Sequence, residues 1–384
     1  MSTYDPAAHA LAFHTWLQNP SEELETQVRE LAEMPEAGFQ AVLRADPRIV
    51  SVAATRKLLA LAYDARLRTS PRGVWLAKLA VRIARDTWEG ESQVDTAIEV
   101  EGDAWREYAA CLLGTGNFPL ARIAAQRARE LYALTSAEHN AAVLSLYEGR
   151  ILHELRQSER GLVLVEQGTN LLRELFRDEK RYVQGRTIQA SILMELNRFE
   201  EAARVLYSVV QPARAMGDTE TYAHITYFIG RCMAKLGQTE AAKTVLHEAA
   251  KLFHDLDMLA EAPRVRGTLA QMLVEEGRYN EAISEFYLAR AEYLRLGLPV
   301  IAALVSLDIV DLLVILNRTS EVEHLCNDMI RVFTSAKLPH NALQALAHLQ
   351  SLSIRTAVSA EDVQHVRTYL ELLPSDPDRP FAVT

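Results

Sequence analysis

Apolar and polar positions recur along this chain with a period of about forty residues. Six short segments mark the period, and they begin at residues 116, 156, 197, 237, 277 and 317: GNFPLA, RQSERG, NRFEEA, GQTEAA, GRYNEA and NRTSEV. The steps between them are 40, 41, 40, 40 and 40 residues. A constant period of this size indicates stacked supersecondary units rather than one globular core.

Each segment lies between two helical patterns. After it, small and large residues share one helix face at spacing i, i+4, i+7: Ala121, Ala125, Ala128; Gly161, Val165, Gly168; Ala202, Leu206, Val209; Ala242, Leu246, Ala249; Ala282, Phe286, Ala289. Seven residues before it, the position is small in most units: Ala109, Gly149, Ala190, Gly230, Ala270, Val310. Small residues let two helix axes approach closely. The Gly or Asn that opens most segments predicts a left-handed helix end. The unit is therefore a helical hairpin.

The outer hairpins are weaker copies of the repeat. Ala77, Val81 and Ala84 repeat the small-large-small column and predict a first hairpin from about Ser51 to Thr87. In the last unit the column has lost its small residues, as expected of a capping repeat. We predict about eight hairpins over 51–372. Residues 1–47 lack the period and predict a small N-terminal helical cap, and the proline-rich residues 373–384 predict a disordered tail.

These columns resemble the tetratricopeptide repeat (TPR), with Gly-x-[FY]-x-x-A at the turn between a small and a bulky column. The usual unit has 34 residues. The longer unit here resembles the TPR domains of kinesin light chains, maltose-regulator-type activators and Rap-type peptide-sensing regulators. The resemblance implies an all-α, right-handed superhelical solenoid. It also implies that the first helix of each hairpin lines a concave groove that binds a protein or peptide.

Composition narrows the class further. The formal net charge of −10 argues against a general nucleic-acid or anionic-membrane surface. Cys111, Cys232 and Cys326 fall on core or near-core positions too far apart to pair, which is typical of a reducing compartment. No signal peptide is evident, and the most apolar stretch, Val300–Leu316, contains two aspartates. We therefore expect a cytoplasmic protein without a membrane segment.

Catalytic and metal-binding motifs are missing from the sequence. HExxH, a CxxC pair, GxxxxGK[ST] and GxSxG do not occur. His254, Asp255 and Asp257 form the densest ligand-like cluster, for which an exposed polar loop is favoured over a metal site. We predict no catalysis, no cofactor and no metal.

The expected groove positions lie thirteen, ten, six, three and two residues before each turn. In the middle repeats they are mostly polar: Arg150, His153, Glu154, Gln184, Thr187, Ser191, Glu195, His224, Tyr227, Arg231, Arg264, Gln271 and Glu275. Towards the C-terminus they become apolar: Leu304, Leu307, Val314 and Ile315. Arg150 and Arg231 are the leading candidates, because two guanidiniums on one face would clamp an acidic peptide. Two alternatives stay open. The polar positions are merely solvated, or the apolar positions Leu304, Leu307 and Val314 are covered by the last hairpin or by a longer, closed superhelix.

The sequence thus predicts a non-catalytic protein- or peptide-binding scaffold or adaptor. One alternative is a peptide-sensing regulator resembling the Rap-type proteins, which would become more compact when it binds its peptide. Another is an accessory or sensor subunit of a separate effector enzyme, such as a protease or kinase, with which it would co-purify.

Overall fold

The computed structural model describes residues 28–30, 32–33, 50–67, 72–87, 94–335, 340–355, 358–372 and 380–381. From residue 50 onward, this described part of the chain contains sixteen α-helices and no strand. They are α1 (Val52–Leu67), α2 (Arg72–Thr87), α3 (Val94–Gly114), α4 (Phe118–Thr135), α5 (Glu138–Glu154), α6 (Ser158–Glu174), α7 (Glu179–Glu195), α8 (Phe199–Ala215), α9 (Thr219–Lys235), α10 (Thr239–Asp255), α11 (Glu261–Glu275), α12 (Tyr279–Arg295), α13 (Pro299–Ile315), α14 (Thr319–Ser335), α15 (His340–Arg355) and α16 (Ala360–Leu372). The all-α prediction is confirmed.

The helices fall into two compact units, Met1–Gly185 and Arg186–Thr384, here called the N-unit and the C-unit. In the N-unit, α1 packs on α2, α3 on α4 and α5 on α6. In the C-unit, α9 packs on α10, α11 on α12 and α13 on α14, and α15 contacts α16. These are the predicted helical hairpins, and α1 and α2 match the predicted first hairpin.

The small-large-small columns form the interior of the hairpins. All fifteen column residues after the turns are buried, and so are the six positions predicted to be small seven residues before them. A Cβ added at Gly149 would lie 2.7 Å from the backbone oxygen of Gly161, so in this hairpin the two helix backbones nearly touch. A Cβ added at Gly230 would lie 2.8 Å from the Leu246 side chain. The small residues therefore set the distance between paired helices, as predicted.

Left-handed residues end the first helix of the six hairpins from α3–α4 to α13–α14, at the turn positions that the sequence predicted. The φ angles are positive at Gly116, Arg156, Asn197, Gly237, Gly277 and Asn317. The amides that follow bond back to the last turn, as when Asn117 N donates to Leu112 O over 2.9 Å. Positive φ angles also occur with the same period in the turns between one hairpin and the next, which was not predicted. These residues are Ser136, Arg177, Gly217, Asp257 and Gly297.

The ends of the chain lie mostly outside the described residues, so the predicted cap over 1–47 and the predicted tail over 373–384 remain predictions. Val28 and Ala32 are buried against the core of α1 and α2. Phe381 packs its ring against His348, His365 and Tyr369. Within the described ranges, none of the helices has the length and apolar character that a membrane crossing requires.

Candidate partner-binding faces

First helices of neighbouring hairpins meet in both units. In the N-unit α1 contacts α3 and α3 contacts α5, and in the C-unit α9 contacts α11. Within the described residues of either unit, no comparable contact joins the second helices of neighbouring hairpins. The stack is therefore tighter on the side of the first helices. We call that side the inner face of each unit, and it is the face on which the sequence predicted a partner.

The inner face of the N-unit carries a cluster of paired charges that joins α1 to α3. The Arg66 Nε atom of α1 donates to Glu107 Oε1 of α3 over 2.7 Å. The side chains are only 21% and 12% exposed, respectively. Although burial lowers the pKa of Arg66, Glu107 is the main cause of a net rise. The short contact and the low exposure of both side chains hold α1 against α3 at this point.

A second set of contacts extends this cluster to α5. Arg106 donates to Asp103 over 2.8 Å and to the Tyr132 hydroxyl over 2.9 Å. The hydroxyl donates to Asp103 over 2.8 Å, and the Asn140 amide of α5 donates to the same carboxylate over 3.1 Å. Three side chains, one each from α3, α4 and α5, therefore bond to the carboxylate of Asp103. We call the set Arg66, Asp103, Arg106, Glu107, Tyr132 and Asn140 the arginine cluster.

A glycine makes room for the tyrosine of this cluster. Tyr132 is one of the largest fully buried side chains, and a Cβ added at Gly102 would lie 2.6 Å from its ring. Burial raises the pKa of Tyr132, so its hydroxyl stays protonated and keeps donating to Asp103. Tyr147 of α5 lies near enough to both guanidiniums to raise their pKa. Several hydrogen bonds and ion pairs thus hold the side chains of the cluster in place.

The predicted groove residues of the N-unit lie at its C-terminal side. Arg150 is exposed, and Glu154 is half-buried. The His153 ring lies 3.0 Å from Ser158 Oγ, at the turn between α5 and α6. Gln184 accepts a hydrogen bond from Arg181 on its own helix over 2.8 Å. Of these, Arg150 is the residue whose exposure best suits contact with a partner.

The inner face of the C-unit brings several predicted residues together. Arg231 of α9 lies 3.5 Å from Glu195 of α7 and 5.8 Å from the centre of the Tyr227 ring. Lys235, at the end of α9, pairs with Glu275 of α11 over 2.6 Å. These pairs join first helices across the face. Their side chains are between 31% and 53% exposed, so water screens them more than the arginine cluster.

Other predicted residues of the C-unit are used within the protein. Thr187 and Tyr227 are buried, and the Tyr227 hydroxyl lies 3.1 Å from Thr268 Oγ1 of α11. Ser191 donates to a carbonyl of its own helix. His224 packs edge-on against a phenylalanine of α10, and Arg264 pairs with Glu261 on its own helix over 3.0 Å. Gln271 is exposed.

The predicted apolar end of the groove is largely covered. Leu307 is fully buried, Leu304 and Val314 pack against the same core, and only Ile315 is 56% exposed. The cover is α16, whose residues Val363, Val366, Tyr369 and Leu370 belong to that core. Leu307 is therefore covered, which agrees with the alternative in which the last hairpin covers the apolar positions.

Sequence reasoning missed several inner-face residues that its own offsets contain. Asp103 and Arg106 lie thirteen and ten residues before Gly116, one repeat earlier than the predicted strip began. Lys235 lies two residues before Gly237, and Asp311 lies six before Asn317. Extending the same offsets to every repeat would have found all four. Arg66 carries no such signal, because the turn of its hairpin does not show the repeat motif.

No metal centre emerges from the described residues, which contain no group of three or more His, Cys, Asp or Glu placed to hold an ion. The three thiols are buried, as predicted, and burial is the main cause that raises the pKa of Cys111 and Cys326 to about 12 and that of Cys232 to about 11. They are therefore protonated, core-packed side chains.

No family model and no curated protein matches the sequence. Solved structures align over much of the chain at low identity. A Rap protein complexed with competence and sporulation factor aligns with 15% identity and a TM-score of 0.48, covering 83% of this chain and 99% of that one. Aspartyl phosphate phosphatase F from Bacillus subtilis aligns with 14% identity and a TM-score of 0.49, covering 97% of both chains. The Rap conjugation gene regulator of plasmid pLS20, in complex with the Phr* peptide, aligns with 12% identity and a TM-score of 0.45. The alignment covers 83% of this chain and 98% of that one. Identities and scores at this level assign no function.

Proposed function

We propose that this chain is a non-catalytic scaffold or adaptor that binds a protein or peptide through the inner faces of its helical hairpins. The arginine cluster of the N-unit is the observation that carries the proposal. Its four charged side chains are 12–28% exposed, and three of the six residues come from α3 while the others come from α1, α4 and α5. The cluster holds two guanidiniums and two carboxylates at fixed positions on one face.

Stability alone gives little reason for such an arrangement. Partly buried ion pairs are on average no more stabilising than apolar residues of the same volume. Fixed donors and acceptors do, however, reduce the entropy that a partner loses on binding, because their geometry is set in advance. Arg66 and Arg106 would donate hydrogen bonds to a carboxylate of the partner. Asp103 and Glu107 would accept hydrogen bonds from an amide or ammonium group. An extended peptide offers all of these groups.

The experiment compares Arg106→Gln with Arg127→Gln on α4. Arg127 is about half exposed and pairs with Glu130 three residues away on the same helix. Its replacement therefore removes one positive charge from the chain without changing the inner face. The wild-type chain and both variants are used to capture partners from lysate of the cells that express the chain. We expect Arg106→Gln to lose partners that Arg127→Gln retains. Equal capture by all three chains would contradict the proposal.

A second experiment tests the exposed strip with Arg150→Glu and Arg231→Glu combined. Charge reversal at these positions removes the guanidiniums and adds repulsion against an acidic partner. We expect captured partners to fall severalfold, with Arg127→Glu as the matched control. If the double variant and the control retain partners equally, the exposed strip is not the contact surface. We expect this binding to take place in the cytoplasm, with no nucleic acid or membrane as partner.

A further inference from the structure

The last helix of the chain lies on the inner face of the C-unit. α16 contacts α13, the first helix of the preceding hairpin, as well as its own partner α15. Arg367 of α16 pairs with Asp308 of α13 over 2.9 Å and with Asp311 over 2.8 Å. Its side chain is 16% exposed, so the pairing is mostly shielded from water. Among the described helices α11 to α16 of the C-unit, no other second helix makes a comparable contact with the first helix of the preceding hairpin.

The equivalent positions on neighbouring hairpins show what α16 has covered. Arg231, Gln271 and Asp311 each lie six residues before their turn. Arg231 reaches a first helix of the same face, and Gln271 is exposed. Asp311 is instead joined to a helix that follows 56 residues later in the chain. α16 thus covers a position on α13 whose equivalent on α11, Gln271, is exposed.

The contact combines an apolar surface with a charge clamp. Val366, Tyr369 and Leu370 are buried in the same core as Leu307 of α13. Beside them, one guanidinium faces two carboxylates. This is the arrangement of a helix that binds a groove through i, i+3 and i+4 anchors with one charged residue between them.

The electrostatic fit of α16 is imperfect. Burial raises the pKa of Asp308 to about 6, with Arg367 opposing the rise and with Asp311 and Glu371 adding to it. Burial also raises the pKa of Asp311. Glu371 belongs to α16 itself, so the helix brings an acid to a face that is already acidic. A helix with a neutral or basic residue at that place would fit the face better.

We propose that α16 is a displaceable internal occupant of the inner face of α13, and that an amphipathic helical segment of a partner takes its place. This segment carries an arginine or lysine facing Asp308 and Asp311, apolar residues beside it, and no acid at the position of Glu371. The proposal concerns a different surface from the arginine cluster and stands independently of it.

The probe is a fluorescein-labelled peptide with the sequence of residues 358–372 in which Glu371 is replaced by Lys. Its binding to full-length chains is followed by fluorescence anisotropy. Three chains are compared: wild type, Arg367→Ala, in which the internal clamp is loosened, and Glu371→Lys, in which it is tightened. A control peptide carries Arg367→Glu in addition.

A site that is occupied internally binds an external ligand more weakly in proportion to the fraction of chains that are open. We therefore expect the probe to bind Arg367→Ala about tenfold more tightly than wild type, and Glu371→Lys more weakly than wild type. The control peptide should not bind. Adding Asp308→Asn and Asp311→Asn to the Arg367→Ala chain should remove the gain, because the carboxylates that attract the probe are gone.

Equal affinity for the three chains, or no binding to any of them, would show that α16 is a fixed structural cap and would overturn the proposal. Circular dichroism melting checks that each chain folds. If Arg367→Ala does not fold, the comparison of Glu371→Lys with wild type still decides, since tightening the clamp leaves its contacts in place. Retained affinity after both aspartates are replaced would equally contradict the clamp.

Discussion

The two units use one repeat with different degrees of constraint. In the N-unit, the α5–α6 hairpin brings backbone against backbone through Gly149 and Gly161, and the arginine cluster is 12–28% exposed. In the C-unit, a Cβ at Gly230 would make its shortest contacts, of 2.8 Å, with the side chain of Leu246 and would lie 3.4 Å from the backbone nitrogen of Leu246. The ion pairs of α7, α9 and α11 are 31–53% exposed. The same period therefore encodes both a rigid and an adaptable inner face.

This difference separates two ways of meeting a partner. Side chains of the arginine cluster are held by several bonds, so they present fixed donors and acceptors. The exposed pairs of the C-unit each contribute only about 0–1 kcal/mol, and exchanging them for contacts with a partner costs correspondingly little. The arginine cluster of the N-unit is thus suited to selecting a particular pattern of charges, and the exposed pairs of α7, α9 and α11 to accommodating variable sequence. The pairing of Arg367 in α16, which is 16% exposed, lies outside this contrast.

The largest expected effect comes from filling the glycine contacts with leucine. Gly149→Leu would drive a side chain against the Gly161 carbonyl and Val165, where the backbone cannot move aside, so we expect a loss of at least about 4 kcal/mol or failure to fold. Gly230→Leu displaces only the flexible Leu246 side chain and should cost about 1–3 kcal/mol. Urea denaturation measures both.

Gly267→Leu is the matched control for this pair, since a Cβ there would meet nothing within 4 Å. It should change the free energy of unfolding by less than about 1 kcal/mol, because leucine also favours the helix. If Gly149→Leu and Gly230→Leu cost the same, the contrast in helix packing between the two units is wrong.

The second effect concerns one arginine from each inner face. Arg106→Ala leaves Asp103 without its guanidinium in a partly buried site, and we expect a loss of about 2 kcal/mol. Arg231→Ala breaks a 3.5 Å contact with the half-exposed Glu195 and should cost less than about 1 kcal/mol. Chemical denaturation in low and high salt measures the difference. An equal cost for the two variants would remove the distinction between a fixed and an exchangeable face.

The repeat could be predicted because its signals are local. A helix end that needs φ > 0 favours Gly or Asn, so Gly237 could be predicted as a helix end. Close helix packing favours small residues, so Gly230 could be predicted as a contact between paired helices. The second series of left-handed residues escaped because Ser136, Arg177 and Asp257 carry no such compositional mark. At those sites the backbone hydrogen bonds of the turn impose the conformation on ordinary residues.

The candidate sites were only partly predictable, because partners come from distant parts of the sequence. The offsets selected both Arg231 and Glu195 as groove positions, but they did not predict the 3.5 Å contact between the two side chains. They could not show that Tyr227 is buried, since its burial depends on the neighbouring Thr268 and Phe253. Coverage of Leu307 by the last hairpin was left open as an alternative, but the sequence could not show that α16 makes the contact, because that contact arises from tertiary packing.

A smaller effect sharpens the description of the C-unit through pH. The pKa of Asp308 is about 6 in the folded chain and about 3.9 for an unfolded aspartate, so the folded state holds this proton more tightly. Its contribution to stability is therefore full below about pH 4 and is lost as pH rises through about 6. Arg367 opposes this rise in pKa, while Asp311 and Glu371 add to it.

Asp308→Asn removes that titration. We expect the variant to be more stable than wild type by about 1 kcal/mol near neutral pH, after allowance for the partial exposure of the carboxyl, and equal to it near pH 4. Urea denaturation of both chains across this range gives the difference, in which other titrating groups cancel. A variant that is less stable at every pH would mean that the ion pair with Arg367 outweighs burial.

The smallest expected difference compares two buried thiols at the same repeat position. Burial is the main cause that raises the pKa of Cys111 to about 12 and that of Cys232 to about 11, and Arg231 opposes the rise at Cys232. Because the thiolate is the reactive form, Cys232 should be alkylated severalfold faster than Cys111 in the folded chain. Iodoacetamide labelling followed by peptide mass spectrometry measures each rate, and Arg231→Gln is the control that should slow Cys232 alone. Faster labelling of Cys111 would mean that the N-unit opens more readily than the C-unit, which would reverse the contrast between them.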